Sequence, residues 1–304
     1  MLTVKEYRSE FLSYLESFKS PTNPKNLYEP VSYILGLKGK RIRPILTLLT
    51  CDIFNDNHKS ALDAALAVEV FHNFSLVHDD IMDEAPIRRG NQTVHKKWDL
   101  STAILSGDVM LILAYQLFEN YKGEIFVSLA KLFSKTAIEV CEGQQMDIDF
   151  SKKVNVSAED YLMMIEYKTA VLIGASMKMG AIVAGATIKD QNDIYELGKN
   201  LGLAFQIQDD YLDTFGDEDK FGKKIGGDIL ENKKTLLFIG AKQLLSPNEN
   251  DILIKLYSSK SSNDDNKIKE VKGLFEKSNN PKILSTEIEN YTKKESKSGK
   301  ELSK

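Results

Sequence analysis

Two stretches of the chain carry three aspartates on one spacing. Asp79, Asp80 and Asp83 lie in "LVHDDIMDEAPIRRG", and Asp209, Asp210 and Asp213 lie in "FQIQDDYLD". Each reads Asp-Asp-x-x-Asp. On a helix the first and last of these carboxylates share a face, about 40° apart and about 6 Å from each other. Two negative charges so placed repel by roughly 0.7–3 kcal/mol, depending on how well water screens them. A hard divalent cation reverses the sign of that term. Mg²⁺ suits the set because it prefers oxygen, keeps several waters and takes phosphate oxygens as its remaining ligands. The plainer reading is a solvated acidic face near a helix end. One such pattern arises by chance in about one chain in ten, and two in well under roughly one in a hundred. Both copies also follow apolar helix, "ALAVEVFHNFSLV" and "LGLAFQI", which sets the carboxylates at the mouth of an apolar interior. The duplication reads as a metal-binding device for a phosphorylated ligand.

Cations accompany the acids. "GKRIRP" (Gly39–Pro44) offers Lys40, Arg41 and Arg43 on a turn entering a helix, where backbone N–H groups also favour anions. Arg88 and Arg89 follow the first motif, and "GKKIGGD" (Gly222–Asp228) follows the second with Lys223 and Lys224. Lys168 and Lys233 add single charges elsewhere. Lone lysines are usually surface decoration, whereas an arginine beside an apolar cavity has a fork that suits phosphate. His72 lies seven residues before Asp79, on nearly the same helix face. Its plainer reading is a hydrogen-bonded core histidine, and His78 and His95 read as structural.

Rigid elements must hold these groups, and the sequence points to helices. Of the seven prolines, none falls between Ile87 and Ser246, and alternating β-branched runs are few. Thr3 with Glu6 has capping-box spacing, "SPNE" at Ser246–Glu249 puts proline at a first helical position, and "SAED" at Ser157–Asp160 is a weaker start. There is no GxGxxG, Walker loop or βαβ rhythm, so the expected class is all-α. "SPTNPKNLYEP" (Ser20–Pro30) reads as a linker, Asp213–Asp228 as a mobile loop and Ser258–Lys267 as a solvated excursion.

Composition excludes several functions. The net charge of −4 over 304 residues gives no basic excess for nucleic acid. Cys51 and Cys141 are too few for a disulfide framework or a zinc site, which fits a cytoplasmic protein. The N-terminal stretch lacks an apolar signal core. Ala170–Ile188 is long and apolar enough to resemble a membrane span, but Lys178 at its middle would cost roughly 2.5–3.5 kcal/mol in lipid. Its glycines and alanines suit a buried helix, so no membrane span is expected.

From about Leu27 to Tyr291 the chain resembles trans-isoprenyl diphosphate synthases of the polyprenyl synthetase family. The matching landmarks are "GKRIRP", "DDIMD" with "RRG", "GQQMD", "KTA", "FQIQDD" with "DDYLD", and "GKKIGGD" followed by "KKTLL". The resemblance implies a single-domain helical bundle around a central cavity over residues 1–291, with 292–304 a frayed polar tail. It implies that Asp79, Asp83 and Asp209 hold a Mg²⁺ cluster on an allylic diphosphate, with Asp213 supporting through water. Arg88, Lys168, Gln206 and Lys224 would contact that diphosphate or its metals, and Thr169 with Gln206 would steady a carbocation. Lys40, Arg43, His72 and Arg89 would bind isopentenyl diphosphate in a metal-free basic pocket. A homodimer is also implied.

The implied chemistry is ionisation of the allylic C–O bond, attack by the double bond of isopentenyl diphosphate and loss of a proton. An apolar wall would exclude water. In this family, bulky residues just before the first aspartate shorten the product. Here those positions hold Ser75, Phe74 and, further back, Phe71, which resembles enzymes stopping at farnesyl or geranylgeranyl diphosphate, with geranylgeranyl the closer fit. Ala170 stands where the family usually has glycine, Asp99 stands where glycine is common, and the polar end departs from the usual final helix. A terpene cyclase of the same fold would lack "DDYLD" and need no "GKRIRP", and a non-catalytic partner subunit would be expected to lack the acidic ligands.

Overall fold

Helix starts fall where side chains can take up the first free N–H groups. Glu6 N donates to Thr3 Oγ1 and Thr3 N donates to Glu6 at 2.7 Å, opening α1 (Val4–Ser17) with the expected capping box. The "SAED" start is a full box as well, with Ser157 and Asp160 reciprocally bonded ahead of α8 (Ala158–Ile165). Pro247 begins the helix Pro247–Ser258, and Ser246 bonds Glu249. The computed structural model describes residues 1–153, 155–217, 225–258, 264–286 and 288. Residues 218–224 of the Gly-rich loop (Lys223 and Lys224 among them), residues 259–263 and the tail 292–304 lie outside the described residues. Of Ser258–Lys267, expected as a solvated excursion, Asp264–Lys267 instead open the helix Asp264–Lys277, and Lys267 is buried there.

The remaining helices are α2 (Lys25–Gly36), α3 (Ile42–Asn55), α4 (Leu62–Met82), a short α5 (Val94–Lys97), α6 (Leu100–Gln116), α7 (Gly123–Lys152), α9 (Val171–Val183) and α10 (Ile188–Phe215). Further helices cover Gly227–Leu230, Leu236–Leu244 and Asp264–Lys277. The all-α expectation holds. One correction concerns Ser20–Pro30: α2 already begins at Lys25 and takes Pro30 inside it. Pro30 and Val31 are buried there, and that burial outweighs the lost helical N–H.

The chain packs as two compact units. One comprises Met1–Ala137 with Leu172–Glu196, and the other Ile138–Val171 with the described residues from Leu197 onward. In the first unit α4 is the central helix and packs against α3 and α6. Ala64, Ala65, Ala67, Val68, Val70, Phe71 and Val77 are all buried. The apolar run that resembles a span is the buried core helix α9. It packs so closely on α3 that a Cβ on Gly180 would sit 2.2 Å from Thr47 O. The described segment that is long and apolar enough to cross a membrane is instead Leu100–Asn120. Leu100, Ile104, Leu105 and Ile112 on α6 are exposed.

The second unit has its own core, built from Phe150, Tyr161, Ile165, Ile207, Leu237, Phe238, Tyr257 and Phe275. Two local features depart from plain helix. The "RRG" stretch is a hairpin, pairing β1 (Ile87–Arg88) with β2 (Asn91–Gln92). Its turn needs positive φ at Arg89 (52°) and Gly90 (76°). Between α8 and α9, Glu166–Ala170 form a π-helical turn. Such turns recur at functional sites because they reaim side chains without ending the helix.

Candidate active site

Each unit carries one acidic motif. In the first, Asp79 is half-buried on the last turn of α4 and Asp83 is exposed at its C-cap. Asp83 N donates to Asp79 O at 2.9 Å, so the helical spacing assumed for the pair persists. Asp80 points the other way and is buried. Arg88 from the hairpin grips it, with Nε donating at 2.8 and 3.0 Å and Nη2 at 2.7 Å. Burial pushes the Asp80 carboxyl up, and the Arg88 guanidinium opposes that rise.

Beside this motif the first unit concentrates positive charge. Arg43 Nη1 lies 3.3 Å from His72 Nε2. Arg89 donates to Asn73 Oδ1 at 3.3 Å, and its guanidinium lies against Gly39, where a Cβ would come within 3.3 Å of Cζ. Lys40 is exposed next to Gly39. Arg41 is separate: it is buried, pairs with Glu69 and donates to the carbonyls of Leu35 and Leu37 at 2.7 Å each. Its left-handed backbone (φ 55°) caps α3. Arg41 is therefore a brace for the turn that presents Lys40 and Arg43.

Neither Arg43 nor Arg89 forms an ion pair with a described carboxylate, and Arg43 Nε is buried without a hydrogen-bond partner. Burial lowers the Arg43 pKa to about 10, with Glu69 opposing and Arg89 reinforcing the shift. Burial, then Arg43 and Arg89, hold the His72 imidazole well below its ordinary range, so it is neutral at pH 7. The cluster is short of negative charge, which suits an anionic ligand.

The second unit organises its motif differently. Asp209 is half-buried on α10. Asp213 Oδ2 accepts from Asp228 N at 3.0 Å, and its carbonyl accepts from Gly226 N at 2.7 Å, anchoring the turn after the Gly-rich loop. Asp210 takes hydrogen bonds from the Tyr161 hydroxyl and, at 2.9 Å, from Gln206 Nε2. Gln206 Oε1 in turn accepts from Thr169 Oγ1 at 3.1 Å. Lys168 reaches Asp147 at 2.5 Å. Burial and the nearby Asp228 raise the Asp210 carboxyl, and burial likewise raises Asp228 against the pull of Lys233. Burial alone would lower Lys233, but Asp228 and Glu231 raise it further than burial lowers it.

The structure thus groups Arg43, His72 and Arg89 in one unit and Lys168, Thr169 and Gln206 in the other. Lys233 joins the second group with Asp147, Tyr161 and Asp228, three residues to which the sequence reading gives no role of their own. The signal that could have found them is burial of charge within apolar context, as with Asp147 in "GQQMDIDF". Phe74 is 8% exposed and packs on Phe71 and His78, at ring distances of 5.4 and 4.9 Å. Phe71 is fully buried against Phe133. Ser75 is half-buried and donates to His72 O at 2.9 Å. His78 lies over Gly107, where a Cβ would clash with its ring at 2.2 Å. The two departures from family pattern have local reasons. Asp99 caps α6 by accepting from Thr102 N at 2.8 Å. Ala170 is buried against α10 where Gly202 leaves room for it, a Cβ there falling 2.6 Å from Ala170 Cα.

Known proteins give this geometry a context. The profile of the polyprenyl synthetase family matches residues 24–275. A geranylgeranyl diphosphate synthase of Sulfolobus acidocaldarius is 39% identical over 252 residues, covering 82% of this chain and 76% of that protein. A geranylfarnesyl diphosphate synthase of Aeropyrum pernix is 36% identical over 259 residues, covering 83% and 80%. Among solved structures, a crystal structure of geranylgeranyl pyrophosphate synthase superposes with a TM-score of 0.96 at 50% identity, covering 99% of this chain and 93% of the other.

Proposed function

The chain belongs to the polyprenyl synthetase family, and from that premise we propose that it is a short-chain trans-prenyltransferase that condenses isopentenyl diphosphate with an allylic diphosphate. The observation that carries the two-substrate reading is the charge-deficient cluster of Arg43, Arg89 and neutral His72, next to an acidic motif whose middle carboxylate, Asp80, is the one that takes the Arg88 guanidinium. One set of groups wants a bare anion; the other wants a cation.

The residues fit magnesium. Asp79, Asp83, Asp209 and Asp213 offer only hard oxygen, and among the described residues no three His, Cys, Asp or Glu side chains cluster closely enough to hold a metal. A metal brought in by the diphosphate suits such incomplete ligand sets. When bound, Mg²⁺ neutralises the diphosphate and favours its departure. Lys168 binds the same diphosphate, Arg88 does so with the guanidinium edge that Asp80 leaves over, and Lys224 adds its charge. Thr169 and Gln206 present oxygen lone pairs to the allylic cation. Lys40, Arg43, His72 and Arg89 hold isopentenyl diphosphate. The apolar wall of α4, with Phe71, Phe74 and Ser75, excludes water and limits product length to geranylgeranyl diphosphate.

The polyprenyl synthetase domain is taken as residues 1–291. The exposed apolar face of α6, with Leu100, Ile104, Leu105 and Ile112, supports a homodimer rather than a membrane helix. The unpaired Cys51 and Cys141 suit the reducing cytoplasm. The test incubates the purified protein with Mg²⁺, isopentenyl diphosphate and dimethylallyl, geranyl or farnesyl diphosphate. The expected product is geranylgeranyl diphosphate. Hydrocarbon release would instead mean a cyclase, and turnover only after adding another chain would mean a partner subunit.

A further inference from the structure

Thr169, Gln206, Asp210 and Tyr161 form one hydrogen-bonded chain inside the second unit. Thr169 Oγ1 donates to Gln206 Oε1 at 3.1 Å, Gln206 Nε2 donates to Asp210 Oδ1 at 2.9 Å, and Tyr161 donates to Asp210 Oδ2. Every donor points towards Asp210, so both carboxylate oxygens are engaged from within the protein. We propose that Asp210, backed by Tyr161, is not a metal ligand but a positioning residue that fixes which end of the Gln206 amide faces Thr169.

The physical reason is the asymmetry of the amide. A glutamine side chain has an NH₂ end and a carbonyl end of nearly the same shape, and only its partners decide between them. A carboxylate oxygen facing Gln206 takes the NH₂ end. The carbonyl oxygen must then face Thr169, whose hydroxyl proton is drawn onto it. The free lone pairs of both residues are thereby left for a positive charge, and no N–H dipole is turned against it. With the amide reversed, the same two residues would repel a cation. Tyr161 is buried on α8 and holds the far oxygen of Asp210, so the carboxylate cannot rotate away.

The other end of the chain is fixed by backbone. Thr169 sits on the π-helical turn, which is clamped from two sides. A Cβ on Gly143 of α7 would fall 2.2 Å from Lys168 N, and one on Gly202 of α10 would fall 2.6 Å from Ala170 Cα. With Thr169 held by that packing and Asp210 by Tyr161, the Gln206 amide between them has one orientation that satisfies every partner.

This inference rests on the prenyltransferase reading, and wild-type elongation activity is the control that separates the two. The experiment measures steady-state kinetics of Asp210→Asn, Tyr161→Phe and Gln206→Leu, and of Asp210→Asn/Gln206→Leu, at varied Mg²⁺, with unfolding midpoints alongside. Asp210→Asn is expected to lower kcat about 10- to 100-fold while KM for the allylic substrate and the Mg²⁺ needed for half-maximal rate stay within about twofold. Tyr161→Phe is expected to act in the same direction by about 3- to 10-fold. The double variant is expected to be no slower than Gln206→Leu alone, because Asp210 acts through Gln206. A tenfold rise in the Mg²⁺ requirement of Asp210→Asn would overturn the proposal by making Asp210 a metal ligand. Unchanged kcat in Asp210→Asn and Tyr161→Phe, or losses that multiply in the double variant, would overturn it as well. If wild type does not elongate, the functional reading fails first.

Discussion

The two acidic motifs share a spacing but not an electrostatic solution. In the first, the middle aspartate, Asp80, is buried and neutralised by a bidentate arginine across a hairpin. In the second, Asp210 is held by two neutral donors, Tyr161 and Gln206, with a further carboxylate, Asp228, nearby. Each middle aspartate serves the protein, while the outer pair remains on one helix face. The first thus uses its middle residue to fix the Arg88 guanidinium beside the motif, and the second uses it to orient a neutral amide. Identical triplets need not perform identical work.

That contrast can be broken at the outer positions. Asp79→Ala and Asp209→Ala are each expected to lower kcat by roughly a thousandfold, as loss of a preorganised charge at the leaving group does. Unequal losses, one large and one negligible, would show that a single motif carries the metal chemistry. Stability sharpens the difference between the middle positions. Arg88→Met strands the buried Asp80 charge and is expected to cost about 3 kcal/mol in denaturant unfolding. Tyr161→Phe removes one neutral donor and is expected to cost about 1 kcal/mol. Equal costs would erase the distinction.

Acid separates the units more gently. His72 is held neutral, its pKa well below the ordinary 6.5 because of burial and the surrounding arginines. Between its folded and unfolded pKa values the unfolded chain binds more protons, so stability rises with pH and is lost as pH falls from about 6.5. The groups facing it are Arg43 from α3 and Arg89 from the hairpin, with Arg41 and Arg88 adding to the repulsion. Denaturation of His72→Gln between about pH 5 and 7 should show a shallower slope than wild type. The smallest expected effect on rate is Phe74→Ala. Product analysis should find longer chains at a turnover within about threefold of wild type, since no reacting group is touched. An unchanged product distribution would remove Phe74 as the length determinant.

Much of this arrangement was legible in the residue order. The capping boxes at Thr3 and Ser157, the long proline-free stretch and the two acidic triplets each depend on neighbours within one helical turn, where periodicity carries the information. Partners across the fold were not legible. Tyr161 and Asp210 lie 49 residues apart, and Arg41 and Glu69 lie 28 apart, so no local pattern links them. In "GKRIRP" Arg41 reads as one of three like cations on a turn, yet burial against Glu69 and two carbonyls makes it a brace. The "RRG" hairpin and the π-helical turn also escaped. Two-residue strands leave no alternation to detect, and one extra residue in a helical turn shifts no hydrophobic period visibly.

If both acidic rows share magnesium with one pyrophosphate group, neither row should hold the metal well by itself. Calorimetric titration of Mg²⁺ into the full-length protein, with and without an unreactive thiolo analogue of geranyl diphosphate, measures this directly. Binding should be weak alone, should tighten by at least about a hundredfold with the analogue, and should be lost in both Asp79→Ala and Asp209→Ala. Tight magnesium binding without the analogue, or binding that survives either substitution, would contradict the shared-metal arrangement.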